Sequence, residues 1–113
     1  MATPAKPCIR YTHSKALRNR MVKLLDAVDT DDDPLVHREQ LAELIVDLNE
    51  GGLKFFFLDP LAKLKMGGVI DTTATLGIRA SHRVMAPAIR SIVTRMNKTQ
   101  IRKVSRIMRD MMG

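Results

Sequence analysis

The chain has 113 residues, 45% of them hydrophobic, and carries 19 Lys and Arg side chains against 12 Asp and Glu, for a formal net charge of +7. This length suits one domain, and the basic excess excludes an acidic disordered tail and favours a polyanionic partner such as nucleic acid, an anionic membrane or an acidic protein. The single Cys8 excludes an internal disulfide, and no apolar stretch approaches the ~20 residues of a spanning helix, so we expect a cytoplasmic protein without a transmembrane segment.

The net excess of positive charge is confined to the C-terminal part of the chain. Residues 1–65 contain ten basic and ten acidic side chains, whereas residues 66–113 contain nine basic side chains and only Asp71 and Asp110. Within the neutral part, segment 26–50 holds nine acids and a single base, Arg38. The sequence therefore describes a polarised protein rather than a uniformly basic one.

The chain begins with a stretch that lacks periodicity. Residues 1–12 contain Pro4 and Pro7, and we predict a flexible N-terminal arm followed by a single all-α domain over residues 13–113. From Thr12 apolar residues recur at steps of three and four, which predicts a first helix. Its stripe consists of Leu17, Met21, Leu24 and Val28.

A second helix is marked at both of its ends. Asp33 can cap it and Pro34 suits its first position, while Gly51-Gly52 predicts its left-handed exit. Asp59-Pro60 then predicts a short helix from Pro60 to Met66 that ends at Gly67-Gly68. Residues 69–78 are rich in Val, Ile and Thr but have no partner strand, so we predict loop or helix there.

The last part of the chain predicts two more helices. Met85, Ala88, Ile89, Ile92 and Met96 form the first stripe, so Pro87 must lie in the first turn or mark a kink. Thr99 can cap the final helix, whose apolar side alternates with a basic one. The result is a small all-α domain of four to five helices. The apolar side of the final helix consists of Ile101, Val104, Ile107, Met108 and Met111.

No catalytic or metal site can be assembled from the sequence. The run Asp29–Asp33 begins like a calcium-binding EF-hand loop, but Pro34 replaces the required glycine and Gln40 replaces the bidentate glutamate. The three histidines lie far apart, and Cys8 lies in the arm without a fixed neighbour that would lower its pKa. We therefore expect a protein that is not an enzyme and that needs neither metal nor cofactor.

The cluster Phe55-Phe56-Phe57 permits two interpretations. Three of the four aromatic residues lie here, so they can supply bulk to a small core. Three adjacent rings cannot all face one core from a single helix, however, so the same residues are also an interface candidate.

The C-terminal basic residues favour nucleic-acid binding. Arginine outnumbers lysine by seven to two among them, and its planar fork suits phosphate oxygens. We predict that an Arg-rich C-terminal face contacts nucleic acid through Arg90, Arg95, Lys98, Gln100, Arg102, Lys103, Arg106 and Arg109.

Residues Thr99–Met108 include Val104-Ser105-Arg106 followed by the apolar pair Ile107-Met108. This stretch resembles the recognition helix of helix-turn-helix regulators of the lac-repressor type, with Ala88–Met96 as the preceding helix. The resemblance implies that Gln100, Arg102, Lys103 and Arg106 face a DNA groove, with phosphate contacts from Arg90 and Arg95. Lys98 stands where these regulators usually have a turn glycine, and Thr94 where they have a small alanine.

A self-associating adaptor or structural protein is the alternative. In that case acidic segment 26–50 would pair with the basic C-terminal helices of a second copy, and Phe55–Phe57 would supply apolar area. Contact with a membrane surface is the least favoured hypothesis, because the apolar side of residues 100–112 lacks the Trp and Phe anchors that are usual in such helices.

Overall fold

The computed structural model describes residues 14–65 and 67–112, apart from the side chains of residues 70 and 71. These residues contain helices and no strand, which confirms the all-α prediction. The predicted arm, residues 1–12, lies outside the described residues. None of the described helices is long and apolar enough to cross a membrane. The helices are α1 (Lys15–Thr30), a 3₁₀ turn (Pro34–His37), α2 (Arg38–Leu53), a π-helical turn (Lys54–Leu58), α3 (Asp59–Leu64), α4 (Gly68–Val93) and α5 (Lys98–Met111).

Helix α1 confirms the first predicted helix. Its cap is Ser14, whose side chain accepts a hydrogen bond from the backbone N–H of Leu17 at 3.1 Å. This bond satisfies one of the donors that the first turn leaves unpaired. The stripe read from the sequence becomes the buried face, which comprises Met21, Leu24, Leu25 and Val28.

The predicted helix exit at Gly51-Gly52 is wrong. Both glycines lie inside α2, and the backbone stays helical from Arg38 to Leu64. Each glycine costs a helix about 1 kcal/mol relative to alanine. Helix α4 packs along this part of the chain, and such packing offsets the local cost that the sequence pattern reports.

Pro60 explains the widened turn within the continuous helix that runs from Arg38 to Leu64. A proline at this position has no N–H to donate to the carbonyl of Phe56, and its ring would clash with that carbonyl in a regular α-helix. The chain instead forms a π turn over Lys54–Leu58, in which the N–H of Asp59 donates to the carbonyl of Lys54. The predicted helix at Pro60 is therefore α3, which is the last part of the continuous helix Arg38–Leu64 rather than a separate helix.

The chain reverses between α3 and α4. Lys65 adopts the left-handed conformation with φ of 49°, and Gly67 follows with φ of 106°. The predicted break before residue 69 is thus confirmed, but its position is wrong: α3 ends at Leu64 with Lys65 as the left-handed cap, and Gly68 is already the first residue of α4. Helix α4 includes residues 69–78, which selects helix over loop. Pro87 lies in its interior, so the first-turn alternative is wrong.

Asn97, and not Thr99, caps the last helix. The Asn97 side chain accepts from the backbone N–H of Gln100 at 2.9 Å, and the Gln100 side chain accepts from the backbone N–H of Asn97 at 3.0 Å. This reciprocal pair satisfies two backbone donors, whereas a cap at Thr99 would start the helix two residues later.

The helices form two antiparallel pairs. Arg90 contacts Glu43 and His82 contacts Glu50, so α4 runs antiparallel to α2. Arg102 contacts residue Asp31, and Arg109 contacts Asp26, so α5 runs antiparallel to α1. The two pairs meet in one core, whose most deeply buried members are Leu25, Val28, Leu41, Leu44 and Ile101.

The hairpin of α2–α3 and α4 extends beyond this core. Among the described residues, core members on α2 end at Leu48 and those on α4 begin at Ile89. Past these points the two helices bury only their mutual face, including Ala74, Ile78 and Ala86 of α4. The radius of gyration is 16.7 Å, against about 13 Å for a compact domain of this length.

The Phe cluster lies on this extension and is not part of the core. Phe55 is half-buried, and Phe56 and Phe57 are 49% and 50% exposed. The core interpretation of the cluster is therefore wrong, because the rod carries the rings past the end of the four-helix core.

Leu44 and Phe57 should respond very differently to truncation. We expect Leu44→Ala to lower the free energy of unfolding by about 2–5 kcal/mol, because it leaves a cavity in the core. Phe57→Ala should cost about 1 kcal/mol or less, because half of the ring is already in water. Urea unfolding followed by circular dichroism measures both values. Equal losses would contradict this location of the core.

Candidate nucleic-acid interface

The nine basic side chains of residues 66–113 divide into two groups. Arg90 and Arg109 form ion pairs, and Arg102 donates to a backbone carbonyl. The other six make no hydrogen bond or ion pair with the residues that the structure describes, and all six are exposed. They are Arg79, Arg83, Arg95, Lys98, Lys103 and Arg106.

Arg90 is engaged by a carboxylate of α2. Its Nε lies 2.5 Å from Oε1 of Glu43 and its Nη2 lies 3.2 Å from Oε2, a two-point contact. The hydrogen bonds from Arg90 lower the pKa of the Glu43 carboxyl, and the same pair raises the pKa of Arg90. A phosphate would have to compete with Glu43 for this guanidinium.

Arg109 and Ser105 attach α5 to α1. The guanidinium of Arg109 lies 2.7 Å from Asp29 and 2.5 Å from Asp26, and the two carboxylates raise its pKa. The Ser105 hydroxyl, which is fully buried, donates to Asp29 at 2.9 Å. Arg102 adds a 3.3 Å bond to the carbonyl of Asp31. On the side of α5 nearest α1, Arg102, Ser105 and Arg109 thus all have hydrogen-bond partners.

The opposite side of α5 is open. Because successive residues of a helix are about 100° apart, Lys103 and Arg106 lie on the side that faces away from the buried residues Ile101 and Ser105. Both are exposed, and so is Asp110, the one acid of this helix. This face of α5 therefore offers two unpaired cations and one unpaired carboxylate.

Arg95 and Lys98 lie at the junction between α4 and α5, and Arg38 determines the shape of that junction. The Arg38 guanidinium donates to the carbonyls of Thr94 at 2.9 Å and Met96 at 3.3 Å. It thereby satisfies carbonyls that the end of α4 leaves unpaired. Sequence reasoning missed this role, since Arg38 was notable only as the one base of an acidic segment.

The predicted contact residues are therefore not equivalent. Arg95, Lys98, Lys103 and Arg106 are free to meet a ligand, whereas Arg90 and Arg109 are held by carboxylates. Gln100 is exposed, but its side-chain oxygen is used in the cap of α5. We call Arg95, Lys98, Lys103 and Arg106 the free basic set. The nucleic-acid role of all eight predicted residues stays a prediction.

The acidic segment 26–50 is largely neutralised within the same chain. Six of its nine carboxylates form ion pairs, with partners on α1, α4 and α5 and in the 3₁₀ and π turns. Asp31 illustrates the effect: a hydrogen bond from the backbone N–H of Asp33, followed by one from His37, lowers its pKa. The acids that pair are Asp26, Asp29, Asp31, Glu43, Asp47 and Glu50.

The acidic run Asp29–Asp33 accepts hydrogen bonds that hold the fold together, a role other than metal binding. Asp29 receives Ser105 and Arg109, and Asp31 receives His37 and the backbone of Asp33. Among the described residues, no three His, Cys, Asp or Glu side chains converge as metal ligands. A cavity of about 1090 Å³ is an open groove between α1 and α2 that is lined by both basic and acidic side chains.

The turn between α4 and α5 agrees only in part with the helix-turn-helix resemblance. A turn of four residues, 94–97, joins α4 to α5, and α5 covers the stretch that resembles a recognition helix. The helix before the turn has 26 residues, however: it begins at Gly68, well before the predicted Ala88, and it ends at Val93, before the predicted Met96. Comparisons of the chain with family models, curated proteins and solved structures return no match. The function is therefore inferred from the residues and their geometry.

The Ser105–Asp29 bond can be measured by a double-mutant cycle. Asp29→Ala should lower the free energy of unfolding by about 1–3 kcal/mol, because it leaves the buried Ser105 hydroxyl without an acceptor. Ser105→Ala should cost about 1 kcal/mol, and the double variant should cost less than the sum of the two. Strict additivity in urea unfolding would show that the bond contributes nothing.

The Glu43–Arg90 pair makes a prediction about pH. Since the pKa of Glu43 is lowered in the folded protein, its ion pair stabilises the fold above the unfolded pKa and loses this effect as pH falls through the folded one. We expect Arg90→Gln to raise the pKa of Glu43 towards its ordinary value, as measured by carboxyl carbon shifts in an NMR titration. Asp31, whose pKa depends on Asp33 and His37, serves as the internal control and should not move.

Proposed function

We propose that this protein is a non-enzymatic nucleic-acid-binding protein of the cytoplasm whose contact surface is the free basic set. The observation that supports this proposal is the absence of any carboxylate partner for these four side chains among the described residues, although six neighbouring acids are paired elsewhere. Cations that neutralise no acid of their own chain remain available for phosphates.

Binding would be driven by the release of counterions. Each cation that meets a phosphate displaces condensed ions, so the logarithm of the affinity falls with that of the salt concentration by about 0.9 per contact on duplex DNA. Lys103 and Arg106 would make such contacts from the open side of α5, and Arg95 and Lys98 would add theirs from the junction. Because α5 is fixed to α1, these charges are presented without an ordering cost for the backbone.

Self-association remains the second candidate function, on a different observation. The acid-to-base docking between copies loses support, because most carboxylates of segment 26–50 are engaged inside the chain. The extended hairpin favours it instead: Phe57, Leu64 and Leu76 are between 50% and 66% exposed. Exposed apolar groups in this number are typical of a contact surface.

Charge reversal on α5 tests the first function. The double variant K103E/R106E should bind a short duplex at least about tenfold more weakly than the unchanged chain, and its salt dependence should fall by about two contacts. Fluorescence anisotropy at several salt concentrations measures both quantities. Arg102 is left unchanged because its bond to Asp31 holds α5 in place.

A matched variant separates local contact from net charge. K15E/K63E changes the net charge by the same amount, but at exposed lysines of α1 and α3. We expect it to retain most of the affinity, whereas Asp110→Asn should strengthen binding. Equal losses in the two double variants would contradict this contact surface, and a well-folded chain that binds no nucleic acid at low salt would contradict the function. Light scattering on the same samples tests self-association.

A further inference from the structure

We propose that the ligand is double-helical nucleic acid, held by its phosphates with little dependence on base sequence. This inference rests on the proposed function and adds the class of nucleic acid to it. Two observations support it. Residues 66–113 contain no Phe, Tyr or Trp, and two of the side chains that could read bases already form hydrogen bonds within the protein.

The basic region offers no surface on which unpaired bases could stack. Residues 66–113 contain no Phe, Tyr or Trp, and Phe55–Phe57 lie on the π turn of the extended hairpin. His82, the one ring of this region that could take their place, is 3.5 Å from Glu50. Proteins that hold single strands gain about 1–3 kcal/mol per base from stacking on aromatic rings. No aromatic ring of residues 66–113 supplies that gain, so phosphate contacts must supply most of the affinity.

A double helix makes better use of such contacts than a single strand. It presents about one charge per 1.7 Å of axis in a fixed arrangement, and its counterion release per contact is larger. Lys103 and Arg106 lie three residues apart on a rigid helix, a rise of about 4.5 Å. The helix holds the backbone positions of these two cations at one spacing, and a duplex holds its phosphates likewise, whereas a flexible strand must first be ordered to meet them.

The side chains that could read bases are already committed. Gln100 could form a two-point contact to adenine, but its side-chain oxygen accepts from the backbone N–H of Asn97 in the cap of α5. Arg102 could read guanine, but it donates to the carbonyl of Asp31. Beyond the first residue of α5, its only basic side chains without a partner among the described residues are Lys103 and Arg106. Because no neighbouring group holds them in one orientation, they can contact phosphates as readily as base edges.

Competition binding tests this inference on the full chain. A labelled 20-base-pair duplex is displaced by an unlabelled duplex of unrelated sequence and equal base composition, and by a single strand of thymidines of the same length. We expect the two duplexes to compete within about threefold, since the contacts are to the backbone. The single strand should be at least about tenfold weaker, because stacking is missing.

The outcomes separate this inference from the proposed function. Single-strand binding equal to or tighter than duplex binding would overturn the duplex assignment while leaving nucleic-acid binding intact. A preference of more than about tenfold for one duplex would overturn the sequence independence. Absence of binding to all three ligands at low salt would instead overturn the proposed function. As a second measurement, Gln100→Ala should leave the ratio between the two duplexes unchanged, and a changed ratio would show that Gln100 reads a base.

Discussion

The attachment of α5 to α1 determines which charges this protein presents to its surroundings. Ile101 and Ser105 are fully buried on one side of α5, and Asp29 accepts from both Ser105 and Arg109. A hydroxyl buried without an acceptor would be costly, so the bond to Asp29 also selects the rotation of the helix. With that rotation fixed, Lys103 and Arg106 must point away from the protein. The free basic set thus depends on a buried polar contact.

The net charge of +7 is an incomplete guide to this surface. Arginine serves two purposes in this chain: Arg90 and Arg109 join helices through carboxylates, whereas Arg95 and Arg106 have no such partner among the described residues. The acids of α1 and α2 act mainly as internal counter-charges. Affinity for a polyanion therefore follows from the geometry of a few cations, and the isoelectric point does not distinguish them.

Features that depend on local chemistry could be predicted from the sequence. The stripe of α1, the break before α5 and the reversal near Gly67 follow from side-chain period and from the conformations that glycine permits. The choice of cap at α5 was wrong because Asn97 and Thr99 are both good caps, and the partner at Gln100 decides between them.

Features that depend on tertiary contacts could not be predicted. Gly51 and Gly52 favour a helix end locally, but packing against α4 keeps them helical. The ion pairs Arg90–Glu43 and Arg109–Asp26 join residues that are 47 and 83 positions apart, which no local pattern reports. For the same reason the free cations of the candidate site could be distinguished from the engaged ones only once the helices were in place.

The extended hairpin has a consequence for how the molecule fluctuates. Beyond Leu48 and Ile89 it is stabilised by the packing of a single helix pair, and it contains a π turn, five glycines and a left-handed lysine. We therefore expect its free energy of local opening to be lower than that of the four-helix core, so that amide hydrogens of α3 and of the first half of α4 exchange with solvent faster than those of α1 and α5. The protein thus has two levels of stability along the continuous helix Arg38–Leu64, and the less stable hairpin bears most of the exposed large apolar side chains of the described residues.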